Sequence, residues 1–460
     1  MGVGRALQSL SQSWTMPKLS QPHSQRQIRI GLVGTFEVAN FGDCMFPVVY
    51  RRLLAQRLPD CEFRYFSPRA AERSPLADYG PVRPLPARLE DASFDVDVLI
   101  QCGGETLSLG HSSGTYNFPA SSLSAFARMW LAPTLAASRG ETLFFVHSVG
   151  MPTINLAPQP LIAKGLEYAN KVSVRDAVTS DRLGQKFPVE ADPMFALSDC
   201  LDREVFEQKA RAVLPQAFEP NGYVCAHISA PYLADGIEPW CEQILQITSQ
   251  TGLKVLLLPV CHFLWDRETL ASARQILIAR GMAPENVQLP LPGHADVDAT
   301  AALIGMSGGV VSSSLHALVT AVSFGVPFAG YGGKGKSAGK HRQTLLAAGI
   351  DFGVVTDVSQ LAATLGEVRK QDLEAVREEA IGRALSGFDR LVASISEGER
   401  EARPMPADLI ECLVEQDRAP TRHLGQEAKR LILRMLKSVP AIAAALETRH
   451  RAKLLKIVSK

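Results

Sequence analysis

The sequence predicts an α/β protein of two Rossmann-like units, and three observations carry that reading. Short apolar, β-branched runs recur along the chain, each closed by a turn of small or glycine residues and followed by helix-spaced apolar positions. The series runs twice, with a break at the Pro- and Phe-containing stretch 214–222. The chain has 460 residues, 46% hydrophobic and 21% charged, enough to bury two or three cores at about 150 residues each.

In the first series, 28–33 reads as a strand ending at Gly34, and 46–58 has helical spacing with Val48, Val49, Leu53, Leu54 and Leu58 on one face. Strands are expected at 63–67, 97–101, 143–146 and 172–174, the last leading through Arg175-Asp176 into a helix that reaches Leu183. The second series places strands at 223–228, 254–259, 287–289, 309–312 and 327–331. Helices are expected between them at 240–250, 267–280, 299–304 and 315–323. Runs this short, alternating with helices, fit parallel sheets covered on both faces. The expected division is a disordered tail over 1–26, an N-terminal unit over 27–213, a C-terminal unit over 214–362 and a helical extension over 363–460.

Composition excludes several classes of function. A net charge of +1 gives no field toward nucleic acid, so any anion affinity must be local. Eight scattered cysteines without a C-x-x-C pair argue against a disulfide framework or structural zinc. No apolar run approaches the roughly 18–20 residues that span a bilayer. The reading is a cytoplasmic protein. The segment from Arg422 holds ten Lys or Arg against two Glu, with Leu424, Ala428, Leu431, Ile432, Met435, Leu436 and Val439 on one helical face. That face either packs on the body or touches the inner face of an anionic membrane as a peripheral contact.

Ligands of open α/β sheets bind beyond the carboxyl ends of the strands, so the loops there hold the candidate chemistry. Asn40-Phe41-Gly42-Asp43 opens a helix, where backbone amides attract anions and where Asp43 can also serve as a simple cap. Cys102-Gly103-Gly104-Glu105 allows close approach of a ligand to Gly103 and Gly104, or merely a tight turn. Arg175, at a strand end, can clamp a carboxylate or phosphate, or pair with Asp176. Ser312-Ser313-Ser314-Leu315-His316 puts a histidine in the first turn of a helix, placed for proton exchange. The loop 332–342 carries Lys334, Lys336, Lys340 and Arg342 on a glycine-rich backbone and suits a multiply charged anion or plain solvation. His294-Ala295-Asp296-Val297-Asp298 lacks a second cluster to complete a metal site, and no metal or cofactor is expected.

Taken in order, these pieces resemble the polysaccharide pyruvyltransferase family. The resemblance rests on Asn40-x-Gly42-Asp43, Gly103-Gly104, Ser148-Val149-Gly150, Val174-Arg175-Asp176 with Ser180, and Asp192-Pro193-Met194-Phe195-Ala196-Leu197. It continues through Leu315-His316-Ala317, Gly325-Val326-Pro327 and Lys340 before Gly349, covering about residues 28–355. It implies two lobes in a glycosyltransferase-B-like arrangement, phosphoenolpyruvate as donor, and a sugar or lipid-linked oligosaccharide diol as acceptor. The implied product is a pyruvate ketal in exopolysaccharide or cell-surface glycan synthesis. His316 is then the general acid and Arg175 an anion clamp, with Lys340 as electrostatic support. Where the family carries Arg before Leu-His, this chain has Ser314, a loss of about 1.5–3 kcal/mol of charge-assisted contact that Lys336 or Arg342 can offset. The alternatives are a nucleotide-sugar glycosyltransferase of the same architecture, which needs a ribose-reading carboxylate such as Glu367 or Asp372, and a catalytically silent sugar-binding scaffold.

Overall fold

The computed structural model describes residues 27–418 except 59, 72–79, 111–117, 119–121, 153–158, 234, 292–295, 334–337 and 399–400. The tail expected over 1–26, the pair His294-Ala295, Lys334, Lys336 and the basic segment 422–460 lie outside the described residues.

Two six-stranded sheets form the body, and every paired strand in both is parallel. The first contains β1 (Ile28–Val33), β2 (Cys61–Ser67), β3 (Val82–Pro84), β4 (Val98–Cys102), β5 (Leu143–Val149) and β6 (Lys171–Val174), in the order β3-β2-β1-β4-β5-β6. The second contains β7 (Tyr223–His227), β8 (Lys254–Leu257), β9 (Val287–Gln288), β10 (Gly309–Ser312), β11 (Phe328–Tyr331) and β12 (Val354–Val355), in the order β12-β11-β10-β7-β8-β9. Read from its own first strand, each sheet has the order 3-2-1-4-5-6, so the dinucleotide-fold topology is repeated. The strand order reverses between β1 and β4 in one lobe and between β7 and β10 in the other.

Helices α1 (Phe41–Arg57), α2 (Ala125–Ser138), α3 (Gln159–Leu166) and α4 (Ala177–Arg182) connect the first sheet, and α5 (Leu197–Cys200) and α6 (Arg203–Val213) lead to the second. There, α7 (Glu238–Thr251), α8 (Asp266–Ala279), α9 (Val297–Gly305), α10 (Leu315–Ser323) and α11 (Ala338–Ala347) alternate with strands, followed by α12 (Leu361–Val368). Most expected elements stand within a few residues of their sequence positions. Helix α1 starts five residues earlier than its apolar spacing suggests, because Asn40 caps it and accepts from Gly42 N–H at 3.3 Å. Helix α2 was not foreseen. It is buried on all sides, with Trp130 and Arg128 both inside, so no polar stripe marks its period.

The lobes share one hydrophobic cluster. Phe46 and Tyr50 of α1, Phe195 of the 3₁₀ turn Pro193–Ala196, Phe206 of α6 and Leu315 and Leu318 of α10 all belong to it. The backbones also meet, Phe41 N–H donating to Val260 O at 2.8 Å and His262 N–H to Ala39 O at 2.9 Å. Two further helices, α13 (Leu373–Glu397) and α14 (Ala407–Arg418), close over the first lobe. Phe388 of α13 packs edge-on to Tyr50 and His147, and Arg390 pairs with buried Glu190 at 2.9 Å. Leu413 of α14 is buried beside Trp130, and Asp417 accepts from Gly110 N–H and Ser124 N–H, each at 2.8 Å. No helix among the described residues is long and apolar enough to cross a membrane.

Candidate active site

A cleft of about 270 Å³ opens where the carboxyl ends of the two sheets face each other. Thr35 and Asn40 reach it from the loop after β1, Asp43 from the first turn of α1, and Gly104, Glu105 and Thr106 from the loop after β4. The second lobe contributes His227 at the end of β7 and Ser229 just after it, Ser313 to His316 after β10, and Lys340 and His341 from α11. Both points of strand-order reversal thus aim at one space, where this topology places ligands.

On the first lobe, Asn40 Nδ2 donates to Asp43 Oδ2 at 3.0 Å. Burial pushes the Asp43 carboxyl above its usual range, against the pull of His316, Thr35, Lys340 and Asn40. Gly42 is required here, since a Cβ on it would fall 1.9 Å from His316 Nδ1. Gly103, at φ +53°, bends the chain after β4, and a Cβ there would strike Phe46, which packs edge-on against the His316 ring. Beyond the bend stands Glu105. Its Oε1 accepts from Arg175 NH2 at 3.3 Å, and its Oε2 lies 3.1 Å from Lys340 Nζ. Burial pushes Glu105 up, but the Lys340 and Arg175 charges outweigh it and hold the carboxyl below its usual range. The Arg175 guanidinium fits because Gly150 is bare, with the place of its Cβ only 3.0 Å from NH2. Arg175 is fully buried on the cleft floor, while the Glu105 side chain keeps 23% exposure.

On the second lobe, His316 in the first turn of α10 presents Nε2 to Asp192 Oδ2 at 3.7 Å. Neither atom has a hydrogen-bond partner, although Asp192 is wholly buried and its Oδ1 accepts from Met194 N–H at 3.0 Å. His341 donates through Nε2 to Ser313 O at 3.0 Å, and burial, aided by Lys340, holds it down to about 4, so it is neutral. The third histidine of this wall, His227, is fully engaged. Asp266 Oδ2 accepts from His227 Nε2 at 2.8 Å and from the N–H groups of Val260 and Cys261, and Oδ1 accepts from Ser229 Oγ at 2.6 Å. Burial would raise the Asp266 carboxyl, but these partners hold it below its usual range.

The structure brings His316, Arg175, Lys340, Asn40, Asp43, Gly104 and Ser314 together around the cleft, with Gly103 packed just behind it. Arg342 is exposed and is not among the lining residues, two positions along α11 from Lys340 and therefore on another face. The carboxylates weighed for ribose recognition are also elsewhere: Glu367 pairs with Lys370 on the surface, and Asp372 caps α13 through Ala375 N–H. Asp296 and Asp298, which looked metal-like, pair with Lys209 at 3.1 and 2.9 Å. Sequence reasoning overlooked the roles of Glu105, Asp192 and the His227–Asp266 pair. Only Asp192 carried a signal, the Asp-Pro pair that starts a 3₁₀ turn.

The family model for polysaccharide pyruvyl transferase matches residues 40–334. Among solved structures, UDP-GlcNAc 2-epimerase from Methanocaldococcus jannaschii is similar with a TM-score of 0.51 at 12% identity, over 81% of this chain and 99% of that one. UDP-GlcNAc 2-epimerase from Neisseria meningitidis, bound to UDP-GlcNAc, gives 0.47 at 15% identity, over 80% and 99%. No curated protein matches the sequence. At such identities the likeness is one of fold, and that fold is the two-lobed, glycosyltransferase-B-like arrangement with a helical C-terminal region.

Proposed function

This chain belongs to the polysaccharide pyruvyl transferase family, and from that premise we propose that its cleft moves an enolpyruvyl unit from phosphoenolpyruvate onto a sugar diol, giving a pyruvate ketal and phosphate. The observation that carries the proposal is the meeting of Arg175, Lys340 and His316 in one interlobe cleft. Phosphoenolpyruvate carries two anionic ends, and a guanidinium and an ammonium at the joint ends of two sheets suit them. His316 gives a proton to the methylene carbon, which leaves an oxocarbenium-like centre at C2. Asp192 stands behind the ring to orient it and to balance its charge. One acceptor hydroxyl bonds to C2 as its proton passes to a base of the cleft. The second then bonds to the same carbon as the bond to the phosphate oxygen breaks, and its proton leaves with phosphate. Asp43, whose neutral form burial favours, is placed at the mouth of α1 to hydrogen-bond a sugar hydroxyl. The acceptor belongs to exopolysaccharide or cell-surface glycan synthesis in this reading.

Lys340→Ala is the informative variant, because Lys340 is half-exposed whereas truncating fully buried Arg175 would also damage the fold. Phosphoenolpyruvate at about a hundredfold excess over its Kd should stabilise the wild-type protein by about 2.7 kcal/mol in a thermal-shift titration, and Lys340→Ala should lose most of that. Phosphate release from phosphoenolpyruvate should then depend on a glycan bearing neighbouring hydroxyls. Stabilisation by a nucleotide-sugar instead would replace this reading with glycosyl transfer. Silence toward both ligands would leave a sugar-binding scaffold.

A further inference from the structure

Among the described residues, Glu105 is the carboxylate that touches both cations assigned to the donor. Its two oxygens divide between Arg175 and Lys340, which reach it from different lobes, one behind β6 and the other on α11. Of the Glu105–Arg175 pair, Glu105 is the partner nearer solvent, with 23% of its side chain exposed against 1% for Arg175. An anion entering the cleft therefore meets Arg175 only after Glu105 has moved aside. The carboxylate occupies the position that the cations offer to a ligand of its own charge.

We propose that Glu105 is an internal placeholder for the anionic donor and, once displaced, the base that takes the proton of the first acceptor hydroxyl. The proposal rests on the pyruvyl-transfer reading and deepens it. In the donor-free cleft the carboxylate is a weak base, since Lys340, Arg175 and the neighbouring His341 oppose the effect of burial. When the donor's phosphate and carboxylate take the two cations, that opposition is withdrawn and burial remains, so the carboxylate strengthens as a base with donor bound. Tyr232 is the other titratable group facing Glu105, and burial together with the Glu105 charge pushes it up to about 12, so it stays neutral and can hydrogen-bond a sugar. In the first step the methylene carbon gains the His316 proton, the acceptor oxygen bonds to C2, and the hydroxyl proton passes to Glu105. Protons given and taken balance, and no redox partner is involved.

The isosteric variant Glu105→Gln separates these claims. Inorganic phosphate serves as a probe that does not depend on the identity of the donor. Its affinity, measured by calorimetry, should rise about tenfold in Glu105→Gln, because a competing anion has gone. Glu105→Asp keeps the charge, and its phosphate affinity should stay close to that of the wild type. With phosphoenolpyruvate and acceptor, Glu105→Gln should lower KM for the donor while kcat falls about a hundredfold, and the acid limb of the kcat profile should vanish. Equal or weaker phosphate binding in Glu105→Gln would overturn the placeholder, and tighter binding with kcat and its acid limb unchanged would overturn the base role. A wild-type protein that binds phosphate but not phosphoenolpyruvate would refute the donor reading alone, leaving the phosphate comparison to decide on Glu105.

Discussion

His227 and His316 stand one strand apart in the same sheet, each facing a buried aspartate, yet they are built for different ends. His227 ends β7, and both ring nitrogens are used: Nε2 donates to Asp266 at 2.8 Å and Nδ1 accepts from Ser312 Oγ at 3.0 Å. The carboxylate behind it has three more donors, two of them backbone amides of the loop that meets Ala39 and Phe41 of the other lobe. His316 follows β10, its aspartate is 3.7 Å away, and both facing atoms lack a hydrogen bond. A satisfied His–Asp pair fixes backbone, whereas an unsatisfied one keeps proton capacity in reserve at a cost in stability. Nearness to an aspartate is common to both and does not separate them. Hydrogen-bond saturation does.

The largest expected effect tests the unsatisfied histidine. His316→Gln should lower kcat by about 10²–10⁴-fold with KM for phosphoenolpyruvate little changed, and its thermal stability should hold. An undiminished kcat would remove His316 from the chemistry and break the contrast with His227. Gly42→Ala sharpens it without altering the imidazole itself, because the new methyl needs the space of His316 Nδ1. Displacement on that scale should cost about a hundredfold in kcat in a protein that remains folded.

A smaller effect, of another kind, belongs to the satisfied pair. Asp266→Asn should cost about 3 kcal/mol of unfolding free energy in denaturant titrations, with the folded fraction keeping its kcat. The sign of the pH effect follows from the carboxyl being held below its usual range. Its contribution is full above the unfolded value of about 3.9 and is lost as the pH falls through the lower folded value. Wild-type stability should therefore drop below about pH 4, and Asp266→Asn should lack that part of the drop. Lost turnover in a fully folded Asp266→Asn protein would instead make His227 a working group.

What could be read from sequence follows the range of the interactions involved. Strand β10 and helix α10 occupy the positions that Gly309, the Val pair and the apolar spacing indicate, because local pattern and burial agree there. The edge strands β3 and β12, of three and two residues, offer too little alternation to detect. Helix α2 is hidden by the opposite fault, apolar residues on every face. His316, Arg175 and Asp43 were legible as candidate site residues since each follows a strand in a doubly wound pattern. Glu105 read as the end of a glycine turn because both of its cations come from distant segments, and no local period reports such a meeting. Lys340 and Arg342 share one basic stretch, and only the start of α11 decides which of them faces the cleft.

The smallest predicted effect concerns Ser314, which sits between the two histidines. Ser312 Oγ, bonded to His227, also accepts from Ser314 N–H at 2.9 Å, and Ser314 precedes the helix that carries His316. The Ser314 side chain makes no capping hydrogen bond, so replacing it removes no support from α10. An arginine there would restore the charge that the family has at this place. It would gain about 1.5–3 kcal/mol from a charge-assisted bond to the donor and lose about 0.3–1 kcal/mol to the positive end of the helix. Ser314→Arg should thus bind phosphoenolpyruvate about tenfold more tightly by calorimetry, with the His227 network intact and stability unchanged. Unchanged affinity would mean that Arg175 and Lys340, once clear of Glu105, meet the donor's charge unaided. Weaker affinity would mean that the cleft is matched to fewer positive charges than the family pattern supplies, and that Ser314 and Glu105 lower the same quantity from opposite walls.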